Sequence, residues 1–415
     1  MRKVLLSMVF ALAGAITYAG GYRVGVQGQR ALAMGHTGVA VVNSAELGFF
    51  NPAGLVYLEN QLTISAGVSA VFSEVAWQNE TTGENARTDN PAGTPFYFNA
   101  SYKLNDNLAV GLSVYTPYGS TVKWEDDWAG SHLTNDIELQ AIYIQPLISY
   151  KIADFLSIGG GPIYVTGSVN FSRNLSRTLT DIDGNRSSVT IDASGVNEWG
   201  WSAGALFTAT EDLRIGINYR SEIIMKAEDG DADFENIPNT PLAPFSDTTF
   251  NAELPLPAEL TVGLSYQLNS KWLLAFDFNR AFWGVYESLD IEFANGTVSG
   301  NPRAYEDANT WRFGAQYTAT DKLTLRAGYY YDETPVQDGY FAPETPRNDS
   351  MGFTAGLSLD VTSKLAIDAS FAYLRFDEVD ASYDYYVDEN NQTVPFGGTY
   401  KSVVFIPGIG VTYKL

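Results

Sequence analysis

TATDKLTLRAGYYYD, residues 318–332, carries a small polar cluster, then a leucine, then a run in which side-chain character alternates. Leu323, Leu325, Ala327, Tyr329 and Tyr331 fall on one face, against Thr324, Arg326, Gly328 and Tyr330 on the other. Period two over about ten residues is the pattern of a strand with two different surroundings. Asp and Thr favour tight turns because their side chains bond to nearby backbone groups. The motif recurs as KLNDNLAV (103–110), KIADFLSI (151–158), TATEDLRI (208–215), QLNSKWLL (267–274) and DVTSKLAI (360–367). Leu260, Val262, Leu264, Tyr266 and Leu268 alternate in the same way with Thr261, Gly263, Ser265 and Gln267.

Six short hairpins supply twelve strands, and segments 61–74 and 399–415 add one at each end. The sequence therefore predicts an all-β fold, a 14-stranded antiparallel transmembrane β-barrel, with the even strand number of single-chain outer-membrane barrels. The remaining connections are long: 75–94, 118–139, 174–196, 229–256, 284–308, 333–348 and 376–398. Their Gly, Pro, Asn and acidic residues mark them as extracellular loops, which puts the short turns on the periplasmic side.

Composition agrees. Tyr 25, Phe 23 and Trp 8 coexist with a mean hydropathy of -0.10, because strands that alternate lipid-facing with lumen-facing residues cancel on average. The chain opens with Arg2 and Lys3, an apolar run from Val4 to Ile16 and small residues through Ala19. That is the layout of a signal peptide over 1–19, too short to span a bilayer, which needs roughly 20 residues. Cys 0 excludes disulfides and thiolate metal sites. A net charge of -23 argues against nucleic-acid partners.

Residues 20–60 lack sustained alternation and are rich in Gly and small residues. A segment of that length rarely buries a core alone, so a hatch (plug) packed inside the barrel (61–415) is expected. The stretch GQRALAMGHTGVAVVNSAELGFFNPAGL (28–55) is similar to the plug of the FadL family of outer-membrane long-chain fatty acid and aromatic hydrocarbon transport proteins. VYTPYGSTVKW (114–124), LPAELTVGLSYQLNSKW (256–272) and NTWRFGAQYTATDKLTLRAGYYYDETPV (309–336) resemble further family segments.

The resemblance implies a barrel plugged by its hatch, an outer apolar groove, a lumen pocket, and a kinked third strand beside the Asn-Pro-Ala motif that opens a lateral gap. Asn51, Pro52, Ala53 and Gly54 become the hatch or gate. Gly111, Pro117 and Gly119 become the kink, since Pro removes a ladder donor and Gly admits a bulge. Taken alone, Asn51 to Gly54 also read as an ordinary turn.

Trp124, Trp128 and Leu133 are either part of the ligand groove or interfacial aromatic anchors. Arg173 and Arg326 are candidates for a ligand carboxylate, Arg173 the better placed, near the mouth. The alternative pairs them with lumen acids such as Asp277 and Asp368. Gly200-Trp201-Ser202-Ala203-Gly204 matches a nucleophile pattern but falls inside a strand, where its required elbow is missing. His36 in the plug and His132 in a loop form no metal motif. DGDADFE (229–235) lacks the glycine of a calcium loop and reads as an exposed acidic loop.

The expected function is passive transport of long-chain fatty acids or similar hydrophobic compounds, without catalysis, cofactor or metal. The expected partners are that small molecule, outer-membrane lipid and lipopolysaccharide around a monomer, and no nucleic acid. A hydrocarbon channel of the same fold, a general porin and a hydrolase are the rivals, in that order.

Overall fold

The computed structural model describes residues 21–239, 245–388 and 392–415; the expected leader, 1–19, lies outside the described residues. Fourteen antiparallel strands close into a barrel. In chain order they are β1 (Leu62–Ser69, continued by Phe72–Gln78), β2 (Phe96–Asn105), β3 (Leu108–Lys123), β4 (Asp136–Ala153), β5 (Leu156–Asn174), β6 (Ser188–Thr208) and β7 (Leu213–Arg220, continued by Ile223–Glu235). There follow β8 (Thr248–Leu256, continued by Glu259–Gln267), β9 (Trp272–Ala281), β10 (Ala308–Thr318), β11 (Leu323–Asp332), β12 (Ser350–Asp360), β13 (Leu365–Phe376) and β14 (Phe396–Lys414). β14 pairs with β1 from Thr63↔Lys414 to Ser69↔Gly408, leaving no free edge.

The alternation sets the faces. Val262, Leu264, Tyr266 and Leu268 are exposed to the outside, whereas Ser265 is buried toward the lumen. Aromatic side chains ring both ends of the apolar band: Tyr102, Tyr150, Phe155, Phe207, Tyr266 and Trp272 lie at the short-turn end, and Trp199, Trp201 and Phe313 further up.

Two expectations about the loops need correction. Several connections are strand-extended: the 229–235 segment belongs to β7, with Asp231, Asp233 and Glu235 exposed and Ala232 buried, so its acidic residues alternate as in any half-buried strand. The upper ends of β3 to β6 likewise run far into segments read as loops, and Ile291–Phe293 and Val298–Ser299 form a small hairpin within 284–308.

Residues 21–60 fill the lumen. They hold two single-turn helices, α1 (Gln29–Leu32) and α2 (Leu47–Phe50), and a 3-10 helix (Pro52–Tyr57). Wall acids secure them: Asp368 pairs with Arg30 at 2.9 Å, and Asp277 accepts from the Gly38 and Val39 amides at 2.7 and 3.1 Å. Glycine makes the close approach possible. Gly35, at φ +68, lies where an added Cβ would stand 2.6 Å from the Phe313 carbonyl, and a Cβ on Gly328 would stand 2.1 Å from the Gly35 amide.

Candidate functional site

Above the hatch, between it and the extracellular loops, lies a cavity of about 370 Å³, within the range of small-molecule sites, roughly 300–1,000 Å³. Its walls are the inward faces of β4 (Ile137, Leu139), β5 (Val169, Phe171) and the upper half of β8 (Leu254, Leu256). The floor is aromatic. Tyr22, the second described residue of the hatch, meets Trp283 edge-on at 4.8 Å and Tyr286 at 5.9 Å, and its hydroxyl bonds the Pro255 carbonyl.

The rim toward the loops is polar and carries Arg173, Arg303, Glu344, Tyr383 and Tyr386. Arg303 is neutralised by Glu344 and donates to the Tyr383 hydroxyl at 3.2 Å. Arg173 differs. It donates to the His132 carbonyl at 3.2 Å and the Ser299 hydroxyl at 3.4 Å, and among the described residues no carboxylate lies within 4.0 Å of it. Leu133 lines the same cavity.

Below the floor comes an ionic layer. Arg23 reaches Glu259 at 3.2 Å and Asp332 at 2.8 Å. Arg220 meets Glu259 at 3.4 Å and donates to the Phe49 carbonyl at 3.0 Å. Tyr118 donates to the oxygen that Arg220 reaches, Glu259 Oε1, at 3.1 Å, while Arg23 holds Oε2. An alkyl chain moving toward the periplasm would have to separate these paired, desolvated charges, which costs several kcal/mol per ion left alone.

Asn51 to Gly54 lie deeper. The Asn51 amide donates to Val39 at 2.8 Å and Ala205 at 3.0 Å, and its oxygen accepts from the Ala53 amide at 3.2 Å, capping the 3-10 helix that Pro52 begins. The Ala53 carbonyl accepts from Ser149 at 3.0 Å and Ser157 at 2.7 Å. Gly159 faces this point, and a Cβ there would stand 2.6 Å from the Ala53 nitrogen. The wall opposite the motif is therefore β4, β5 and β6, not the third-strand kink expected beside it.

The third strand does carry an irregularity at Pro117, and other residues of the hatch meet it. The β3 to β4 register shifts between Tyr115 and Tyr118 around Pro117, whose missing N–H is tolerated at such a bulge. Val24 donates to the Pro117 carbonyl at 2.8 Å, and Gly119 donates to the Tyr22 carbonyl at 3.1 Å. Gly111 is not part of it: it sits in regular register opposite Ser101 and Leu147, and its bare face admits Leu55 of the hatch.

Two other assignments change. Trp124 and Trp128 do not line this cavity and are too buried to anchor an interface. They stack at 4.1 Å and 12°, with Trp77 edge-on to Trp128 at 5.6 Å, and both are buried, so they form the core of the loop layer. Arg326 lies away from the pocket, bonded to Gln316 at 2.9 Å and Ser358 at 2.6 Å; the lumen wall, not a ligand, satisfies it. Ser202 lies within β6 and accepts from Gln145 at 2.6 Å.

His36 is buried edge-on against Phe50 at 4.8 Å, and burial, with Arg312, Arg23 and Arg220 nearby, holds it well below the usual histidine range. His132 is pushed down to about 3 by burial and by Arg177 and Arg173. Neither titrates near neutrality. Arg303, Glu344 and the Tyr383 to Tyr386 pair escaped sequence reasoning because they come from separate loops with no shared period.

Comparison with known proteins follows the same outline. Residues 10–415 match the model of the outer membrane protein transport protein family (OMPP1/FadL/TodX). The chain belongs to this family. The long-chain fatty acid transport protein of Escherichia coli O6:H1 is 23% identical, over 96% of this chain and 97% of that one. Among solved structures, a FadL homologue of Pseudomonas aeruginosa superposes with a TM-score of 0.82 at 19% identity, covering 95% of this chain and 100% of that one. The Pseudomonas putida toluene transporter TodX gives 0.72 at 18% identity, covering 96% and 99%. Family membership and the closed barrel place the protein in the outer membrane as a transport protein for hydrophobic compounds.

Proposed function

We propose that the protein passively admits long-chain fatty acids. The observation that carries this reading is Arg173: a guanidinium on the rim of an apolar cavity, without a carboxylate partner among the described residues. An alkyl chain gains roughly 0.8 kcal/mol per methylene on leaving water, and a carboxylate head at the rim would add an anionic partner to the two neutral acceptors that Arg173 already has.

The relatives support both this reading and its nearest rival, since one is a long-chain fatty acid transport protein and another a toluene transporter. Aromatic hydrocarbons would use the same walls and ignore Arg173. The proposed path runs from the rim into the cavity and then sideways, because the ionic layer of Arg23, Glu259, Asp332 and Arg220 opposes descent through the lumen. Displacement of Tyr22 to Val24 from the third-strand bulge would free one lateral route. Asn51, Pro52, Ala53 and Gly54 act as the hatch's anchor on this path, and the protein needs neither catalysis nor cofactor for it.

Mass spectrometry of ligands released from the purified barrel tests the substrate class. Free long-chain fatty acids are expected. Enrichment of neutral hydrocarbons alone would replace this reading with the rival.

A further inference from the structure

The barrel wall is interrupted at a second place, far from the third-strand bulge. β6 pairs with the lower half of β7 from Thr208↔Arg214 up to Ser202↔Arg220, and with its upper half from Asp192↔Asp231 to Ser188↔Glu235. Between these ladders, residues 193–201 of β6 and 221–230 of β7 form no ladder pairs with each other, although each stays paired to its other neighbour, β5 or β8. A clamp closes the lower end: Ser221 donates its amide to the Trp201 carbonyl at 2.9 Å, and its hydroxyl accepts from the Trp201 amide at 3.0 Å.

Each lip carries a bulge in the ladder to its other neighbour. On one, Gly195 takes φ +68 beside the register shift at Gly167/Ser168. On the other, Asp229 takes φ +53 within the shift between Ala227 and Gly230. A bulge bends its strand and can end pairing, and here one stands on each of the two facing strands.

The interruption adjoins the cavity. Val196 from one lip and Met225 and Ala227 from the other line the pocket. Side chains pack across the interruption, where the ladder bonds are missing. Ile223 backs onto Gly200, where an added Cβ would stand 2.5 Å from its Cδ1, and Met225 reaches toward Gly167, whose Cβ would stand 2.9 Å from its Cε. Unpaired strand edges are costly in hydrocarbon. Here they lie at the level of the outer aromatic belt, with Trp199 and Trp201 exposed at the lower lip.

We infer that the unpaired stretch between β6 and β7 is a second lateral window, through which an alkyl chain passes between the pocket and the outer leaflet, with Ile223 and Met225 as its shutter. An unbranched thioether side chain rotates aside more readily than a branched one, so Met225 is the moving part. This inference rests on the proposed transport of hydrophobic ligands, but it names a different exit from the third-strand bulge.

The chain has no cysteine, so engineered thiols report cleanly. Asn197→Cys with Lys226→Cys places one thiol on each exposed lip, and a short bis-maleimide bridges them. Uptake of radiolabelled palmitate should fall roughly tenfold on bridging and stay near the wild-type rate in the unbridged variant. Bridging Leu325→Cys to Leu357→Cys, across a regular seam, should change nothing. Bridged window variants that transport like unbridged ones would overturn the proposal. A second measurement is independent of uptake: in reconstituted bilayers, a phospholipid carrying a diazirine in its acyl chain should label Ile223 or Met225. Labelling confined to outward residues such as Leu325 and Leu357 would also overturn it. If the wild type fails to take up palmitate while Met225 is labelled, the substrate reading fails and the window stands.

Discussion

The side-chain amide of Asn51 bridges two carbonyls that belong to different parts of the molecule, Val39 of the hatch at 2.8 Å and Ala205 of the wall at 3.0 Å. Replacing Asn51 with Ala removes both bonds and leaves buried acceptors bare, a cost of about 1–3 kcal/mol. Barrel assembly should survive, because strand pairing does not pass through this residue. Hydrogen exchange in residues 38–57 should rise and fatty acid uptake should fall; failure to assemble would make the contact structural only.

Arg173→Ala separates the two substrate classes. Loss of a charge-assisted bond costs about 1.5–3 kcal/mol, so palmitate binding should weaken by about tenfold or more. Toluene uptake should be unchanged. Equal binding of palmitate to the variant and the parent would remove the carboxylate assignment.

Trp128 should behave as core. Its indole stacks on Trp124 and donates to the Thr134 carbonyl at 2.8 Å. Trp128→Ala should cost about 3–5 kcal/mol in the loop layer. Extracellular protease sensitivity should rise, and every substrate should lose affinity together. A change in selectivity with intact loops would return Trp128 to the ligand site.

These outcomes mark where the sequence was legible. Alternation in 260–268 and 323–331, with polar turns between, specifies strand number and facing because period two has one geometric reading. The fate of Trp124 and Trp128 was not legible, since a loop aromatic looks alike whether it stacks on Trp77 or faces a ligand. Gly111 and Gly119 share a residue type but not a role: one admits Leu55 and the other donates to Tyr22. Arg173, near the mouth, and Arg326, inward by period, are both candidates in the sequence, and only three-dimensional neighbours distinguish the rim arginine from the one held by Gln316 and Ser358. The β6 to β7 window depends on which strands fail to pair, which no local pattern records.

Glu46 gives the hatch a pH dependence. Its carboxylate accepts from the Arg30 and Ala31 amides at 3.2 and 3.1 Å, yet burial, with Asp368 nearby, raises it to about 7. Released into water it would return toward its ordinary value of 4.5. The docked hatch thus holds an extra proton between those values, so docking is favoured at the acid end and weakens as pH rises through about 7, by on the order of 1–3 kcal/mol. Exchange in residues 28–33, corrected for intrinsic rates, should be faster at pH 8 than at pH 5. Glu46→Gln should flatten the difference, and His36 and His132, both held well below neutrality, should add nothing to it.

Single-channel recording in a planar bilayer bears most directly on a barrel that is shut to water yet open to hydrophobic ligands. The hatch and its ionic layer predict no stable conducting steps from the intact protein, and steps should appear once residues 21–57 are deleted. A large, steady conductance from the intact chain would contradict the closed lumen and make the protein a porin.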